Sequence, residues 1–165
     1  MALVPETGTG VANADTFVTL AEFAAYVTAQ ARTIAATVTD AQKEGALRYA
    51  AKWVGTRGNW IAGRLTTTQA LDFPISASYD LKNKAIAAVP QAVKDAQCEA
   101  AIAHITGESL AEPLKRGGAI VAASVGPVSV TYAGNAPAGS TYRFIDSLLR
   151  PLMLSSGGSI QAVLG

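Results

Sequence analysis

One cysteine and one histidine in 165 residues leave little material for redox or metal chemistry. A single cysteine cannot close an internal disulfide, and a zinc site needs several His, Cys or carboxylate ligands. Cys98 and His104 lie six positions apart in a stretch that reads as helix. That spacing turns them about 120° away from each other, so they do not make a nucleophile–base pair. Charge is scarce too: Lys and Arg number 13, Asp and Glu 12, and the net charge is +1. Such a balance excludes gripping nucleic acid by bulk charge, and an apolar half of the chain excludes disorder. No apolar run approaches the ~20 residues of a membrane span, and MALVPETGTG lacks the basic-then-apolar order of a signal peptide. The expected setting is the cytoplasm, with no membrane partner. There is no GxSxG elbow and no GxxxxGK[ST] loop, and Gly8-Thr9-Gly10 and Gly117-Gly118 are too short to cradle a phosphate. No two carboxylates stand out as an acid/base dyad. The chain is expected to have no catalytic residue, no metal and no cofactor, and not to be an enzyme.

What is present is helix, organised around Val89 to Ile105. Pro90 suits a first helical turn, and the following four turns hold many alanines and no glycine. Ala92, Val93, Ala96, Ala100 and Ala103 fall on one side, and Cys98, Ile102 and Ile105 on the other. Asp95 with Glu99, and Lys94, Gln97 and His104, are left as two narrow polar strips. A helix apolar on two sides is packed on two sides, which makes this one the central post. Before it, Thr19-Leu-Ala-Glu22 and Thr39-Asp-Ala-Gln42 are capping boxes. They predict helices to about Ala31 and Val54, with Val18 and Phe23 as a staple on the first. Residues 33–38 read as a linker and 55–88 as irregular. In or beside that irregular run, Trp53, Trp60, Phe73 and Tyr79 suggest packing, and Gln69-Ala-Leu71 suggests a single helical turn. After Gly107, AIVAASV and VSVTYA alternate around Gly126-Pro127, the signature of a hairpin over 119–133. A last short helix is expected from Thr141 to Leu154, with Phe144, Leu148, Leu149 and Leu152 apolar and Pro151 bending or ending it.

The one local excess of positive charge is Lys43, Arg48, Lys52, Arg57 and Arg64 against Glu44. It reads first as a solvated helix face and second as a surface turned to a polyanion. Single-strand binders combine basic grooves with aromatic side chains, which makes Arg57, Trp60 and Arg64 the candidate DNA-facing residues. Low charge in a chain of this length also fits a surface covered by partners, because interface cores are poor in Lys, Asp and Glu.

Several motifs follow one another in a telling order: Val18 to Glu22, then Ala41 to Val54, Trp60 with Gly63-Arg64, Gln69-Ala-Leu-Asp-Phe-Pro74, Ala88 to Lys94, and Gly126-Pro-Val-Ser-Val-Thr-Tyr132. In this order, over about residues 14–153, the chain resembles the head–tail connector (adaptor) proteins of tailed bacteriophages. Some members of that family are labelled DnaT-like single-stranded-DNA-binding proteins. The family's turn reads Trp-Pro-Arg where this chain has Phe73-Pro74-Ile75, so a contact made by that arginine is missing here. The spacing before Arg64 is longer, and residues 155–165 lie outside the resemblance.

The resemblance implies a helical fold with a protruding hairpin, and the residues themselves read as mainly α: about four helices, one β-hairpin, and extended N- and C-terminal arms. They divide into an arm at 1–14, small, polar and glycine-containing, a helical adaptor domain at 15–154 with its hairpin at 119–133, and an arm at 155–165. The resemblance implies a homo-oligomeric ring of twelve copies at the head–tail interface of the virion, made in the host cytoplasm. Portal protein would sit on one side and a stopper or tail-completion protein on the other, with DNA passing non-specifically through the lumen. Ile160, Val163 and Leu164 are the expected portal or neighbour contacts. Ile120, Val121, Val128, Val130 and Tyr132 are the expected hairpin interface. The alternative is a single-stranded-DNA-binding replication protein using Arg57, Trp60 and Arg64.

Overall fold

A computed structural model describes residues 2–108, 110, 122–125, 128–131 and 142–154. Four helices are described: α1 (Leu20–Ala29), α2 (Asp40–Thr56), α3 (Gln91–Ile105) and α4 (Arg143–Leu149), the last running into a 3-10 turn at Arg150–Leu152. The architecture is mainly helical. Both capping boxes form: Thr19 Oγ accepts from Glu22 N–H at 3.1 Å, and Thr39 Oγ accepts from Gln42 N–H at 3.3 Å. Each glutamate or glutamine side chain reaches back to the cap residue's own N–H. Val18 and Phe23 are both buried, as a staple at the start of α1 should be.

α3 is the central post. It packs against α2, α4 and α1, while α1 and α4 do not touch each other among the described residues. Alanines at 96, 100 and 101, all buried to the last few per cent, let α2 come close with Ala46, Leu47, Ala50 and Val54. The polar strips of α3 behave differently from the expectation, because Gln97 and Glu99 are buried. Gln97 Oε1 accepts from Phe17 N–H at 2.9 Å, and its Nε2 donates to Thr16 Oγ at 2.7 Å and to the Leu47 carbonyl at 2.9 Å. One side chain thus joins α3 to α2 and to the chain entering α1. Burial without partners would cost several kcal/mol, and here every polar atom of the amide is used. Glu99 accepts from the Tyr26 hydroxyl at 3.0 Å and from Arg32 at 2.8 Å. Burial and that carboxylate together push the Tyr26 hydroxyl pKa up.

Residues 57–90 contain no regular helix or strand, as the sequence suggests, and they are held by packing. The expected helical turn at Gln69–Leu71 is absent. Gln69 is instead a buried bracket: its Nε2 donates to the carbonyls of Leu71 and Pro74, and its Oε1 accepts from Thr66 N–H. Side-chain capping of a loop's backbone competes with local helix, and here it wins. Phe73, fully buried before a cis Pro74, meets Phe17 and Trp60 edge-on with ring centroids at 6.3 and 4.8 Å.

Residues 2–18 fold back on the body. Glu6 N–H donates to the Thr16 carbonyl, and Ala70 N–H to the Val11 carbonyl. The Gly8-Thr9-Gly10 loop wraps an anion, but the anion is its own: the buried Glu6 carboxylate accepts from Gly8, Gly10 and Val11 N–H at 2.8–3.0 Å. Gly10 has φ +80°, and a Cβ there would stand 2.6 Å from Thr66 Oγ.

The backbones of β1 (Ala122–Val125) and β2 (Val128–Thr131) run antiparallel, with Ala122 opposite Thr131 and Val125 opposite Val128. Residues 119–121, 126–127 and 132–133 of the expected hairpin lie outside the described residues, as do the side chains of both strands. At the far end, α4 buries Ile145 and Leu149 and exposes Phe144 by 56%. That corrects the expected apolar stripe, in which Phe144 stood where Ile145 does. Buried Ile145, Leu149 and Leu152 follow the i, i+4, i+7 spacing of one face, which turns Phe144, one residue earlier, about 100° away from Ile145.

Cys98 is buried, and loss of solvation, reinforced by Asp95, raises its thiol pKa to about 12. The thiol is therefore expected to ignore a disulfide reagent in the folded protein at pH 8 and to react promptly in denaturant. A fast native-state reaction would show that α3 opens readily on that side.

Candidate nucleic-acid interface

The structure separates the three residues that the sequence grouped as DNA-facing. Trp60 and Arg64 converge on one carboxylate, Asp72: the indole N–H donates to Oδ2 at 3.3 Å, and Arg64 donates to Oδ1 at 3.0 and 2.7 Å. Trp60 is half-buried against Phe73, and Gly58 lies so close to its ring that any Cβ would overlap it. Arg57 points elsewhere, to Asp146 on α4. Two of the three cations of α2 find partners as well: Lys43 pairs with Asp40, and Arg48 with Asp15 and Glu44, while Lys52 stays exposed. Most of the basic excess along α2 is thus balanced by carboxylates that the fold brings to it.

A different basic surface emerges around α4. A cleft of about 530 Å³ is lined by Arg57, Leu81, Arg143, Asp146, Ser147, Arg150, Met153 and Leu154. Arg143, Asp146, Ser147 and Arg150 follow the i, i+3, i+4, i+7 spacing of one helix face, and Arg143, Ser147 and Arg150 are exposed. Three arginines face one aspartate here, whereas the chain as a whole is nearly neutral. Arg57 is fixed from two sides: its guanidinium lies 4.9 Å from the centroid of the Trp53 ring, and it donates twice to Asp146 Oδ1, from Nε at 3.0 Å and from a terminal nitrogen at 2.5 Å. Trp53 is itself anchored, its indole donating to the Leu110 carbonyl at 2.7 Å and its ring meeting Tyr142 edge-on.

The opposite wall is chain from the irregular region. Leu81 N–H donates to the Pro151 carbonyl at 3.0 Å, Leu154 N–H to Asn59 at 2.7 Å, and Ile61 N–H to Leu152 at 3.1 Å. The Asp80 carboxylate accepts from Lys82 and Lys84 N–H, an Asx-type turn that displays both exposed lysines beside Leu81. Tyr79, Leu81, Phe144 and Leu154, exposed by 45–60%, are four of the five large apolar side chains most open to water among the described residues. Leu81 and Leu154 line this cleft, Tyr79 precedes Leu81 by two residues, and Phe144 lines a separate cleft with Tyr142 and Ile145. The α4 cleft therefore sets one anchored cation, Arg57, and two exposed ones, Arg143 and Arg150, beside apolar surface.

Of the arginines that line this cleft, Arg57 is among the sequence candidates and Arg143 and Arg150 are not. Their spacing of seven on a short helix was the available signal, obscured by treating the segment as core. Val128 and Val130 are described in backbone only, and Ile120, Val121, Tyr132, Ile160, Val163 and Leu164 lie outside the described residues. His104 stacks on Tyr49 with centroids 4.6 Å apart. Among the described residues no cluster of His, Cys, Asp and Glu could hold a metal, and no helix is long and apolar enough to cross a membrane.

A family model described as "Putative DnaT-like ssDNA binding protein" matches residues 1–165. The chain belongs to this DnaT-like family. No curated protein and no solved structure matches it. Of the labels implied by the resemblance, the DnaT-like one is thus shown, and the phage-connector one rests on the resemblance alone.

Proposed function

We propose that this chain binds single-stranded DNA, without catalysis, through the cleft between α4 and the 79–84 turn. The observation that carries this reading is the convergence of Arg57, Arg143 and Arg150 beside exposed Leu81 and Leu154. Its family description supports it. A single strand presents phosphates and unstacked bases together, which suits a surface that mixes guanidinium and apolar groups; a duplex hides its bases. With three arginines against one aspartate, the grip is modest and sensitive to salt. Titrating the protein into fluorescently labelled oligothymidylate at increasing salt tests it. Affinity should fall linearly on a log–log plot with a slope of roughly −1.5 to −2, the value for two or three phosphate contacts, and unlabelled duplex should compete poorly. No binding at low salt would overturn it.

The second reading is the ring-forming head-to-tail adaptor of a tailed phage, binding portal and a stopper or tail-completion protein around the DNA channel in the virion. One observation favours it. A ring built by head-to-tail contacts needs two unlike patches on each subunit. The α4 cleft is one, and an apolar cleft of about 730 Å³ over Leu20, Phe23, Val27 and Ile34, between α1 and the start of α2, is another. In that reading the hairpin residues Ile120, Val121, Val128, Val130 and Tyr132 meet a neighbour, and Ile160, Val163 and Leu164 meet portal. Light scattering and negative-stain microscopy with portal should then show rings. Removing residues 155–165 should leave a folded protein that no longer docks. Normal docking by the truncated protein would sink the assignment of the tail.

A further inference from the structure

We propose that Asp146 is a built-in competitor for the DNA phosphate, holding Arg57 until a strand displaces it and so setting how weakly the cleft grips. The inference rests on the single-strand reading above and adds a residue that sets its strength. Asp146 lies three residues after Arg143 and four before Arg150, so one carboxylate stands among the three arginines of the cleft. Both donors that Arg57 offers go to a single oxygen of this carboxylate, Oδ1. These are the donors that a phosphate would take, since guanidinium binds carboxylate and phosphate with the same fork. The pair is open to exchange, because the Arg57 and Asp146 side chains remain 32% and 38% exposed. Exposed pairs of this kind are held by little free energy. Arg57 does not swing away when the carboxylate leaves, because the Trp53 ring supports it from the other side. Arg143 and Arg150 make no ion pair among the described residues, so they can meet the strand first and raise its local concentration at Arg57. The sequence gives no hint of this arrangement, since residues 57 and 146 are 89 positions apart.

Asp146→Asn keeps the shape of the side chain and removes its charge. Measured by anisotropy with labelled oligothymidylate, the variant should bind about fivefold tighter than the parent, as loss of one exposed ion pair allows. Its log–log salt slope should match the parent's, because Arg57 meets a phosphate in both complexes and only the competing carboxylate is gone. Adding Arg57→Gln to that variant should abolish the gain. The unmodified protein supplies an independent readout: the NMR signal of Arg57 Nε–H should move when oligothymidylate is added, as its acceptor changes from carboxylate to phosphate. Unchanged or weaker binding by a folded Asp146→Asn variant overturns the proposal, as does a stationary Arg57 signal while the protein binds DNA. If neither parent nor variant binds the oligonucleotide, the single-strand reading itself falls, an outcome distinct from equal binding by both.

Discussion

Replacing Arg143 and Arg150 together by alanine is expected to weaken binding to oligothymidylate on the order of thirtyfold at low salt, taking about 1 kcal/mol for each phosphate contact. The log–log salt slope should flatten by about 1.4, since two of the contacts are gone. Both side chains are exposed on the outer face of α4, while the helix is held by buried Ile145 and Leu149. The double variant should therefore unfold at nearly the parent temperature, which separates loss of binding from loss of fold. Arg64→Ala is the internal comparison. Arg64 is exposed but committed to Asp72, away from the cleft, and its loss should change affinity by less than about twofold. Equal losses from Arg64→Ala and from the double variant would move the interface back to the Trp60 side.

The largest effect on stability is expected from Gln97→Ala, about 3 kcal/mol. The side chain is completely buried and serves Phe17 N–H, Thr16 Oγ and the Leu47 carbonyl at once. Truncation leaves the Phe17 N–H without a partner in the interior and opens a cavity between α3 and α2. For a domain of this size the midpoint of thermal unfolding should drop by roughly 10 °C, followed by circular dichroism. A loss below about 1 kcal/mol would mean that water or a shifted backbone replaces the amide. Gln97→Glu should be no milder, because a buried carboxylate there cannot donate to the Leu47 carbonyl when ionised.

Gln97 also marks where legibility in the sequence ends. The helices could be read because their signals are local: two capping boxes, a proline before α3, alanines at helical spacing. The strip containing Gln97 and Glu99 looked solvent-facing because periodicity records polarity and does not record partners. Their partners come from Thr16, Phe17, Leu47, Tyr26 and Arg32, at separations of 50 residues or more. The same limit governed the candidate interface. Arg57, Trp60 and Arg64 are neighbours in sequence, but Asp72 takes two of them and Asp146 takes the third. Charge balance in a fold of near-zero net charge is settled by tertiary pairing, which leaves surplus cations wherever no carboxylate arrives. On this chain one such place is the face of α4, where Arg57 takes the single carboxylate, Asp146, and Arg143 and Arg150 make no ion pair among the described residues. The same reasoning explains the Gly8-Thr9-Gly10 loop, whose anion-binding geometry is occupied by Glu6 from within.

The measurement that bears most directly on the α4 cleft as a DNA site is an NMR map of backbone and arginine side-chain shifts on titration with oligothymidylate. The predicted shifts concentrate on Arg57, residues 79–84, α4 and residues 150–154, with α1 and the start of α2 unmoved. Shifts centred on α1 and α2, or none at saturating oligonucleotide, would contradict it and leave the ring-forming adaptor as the better reading.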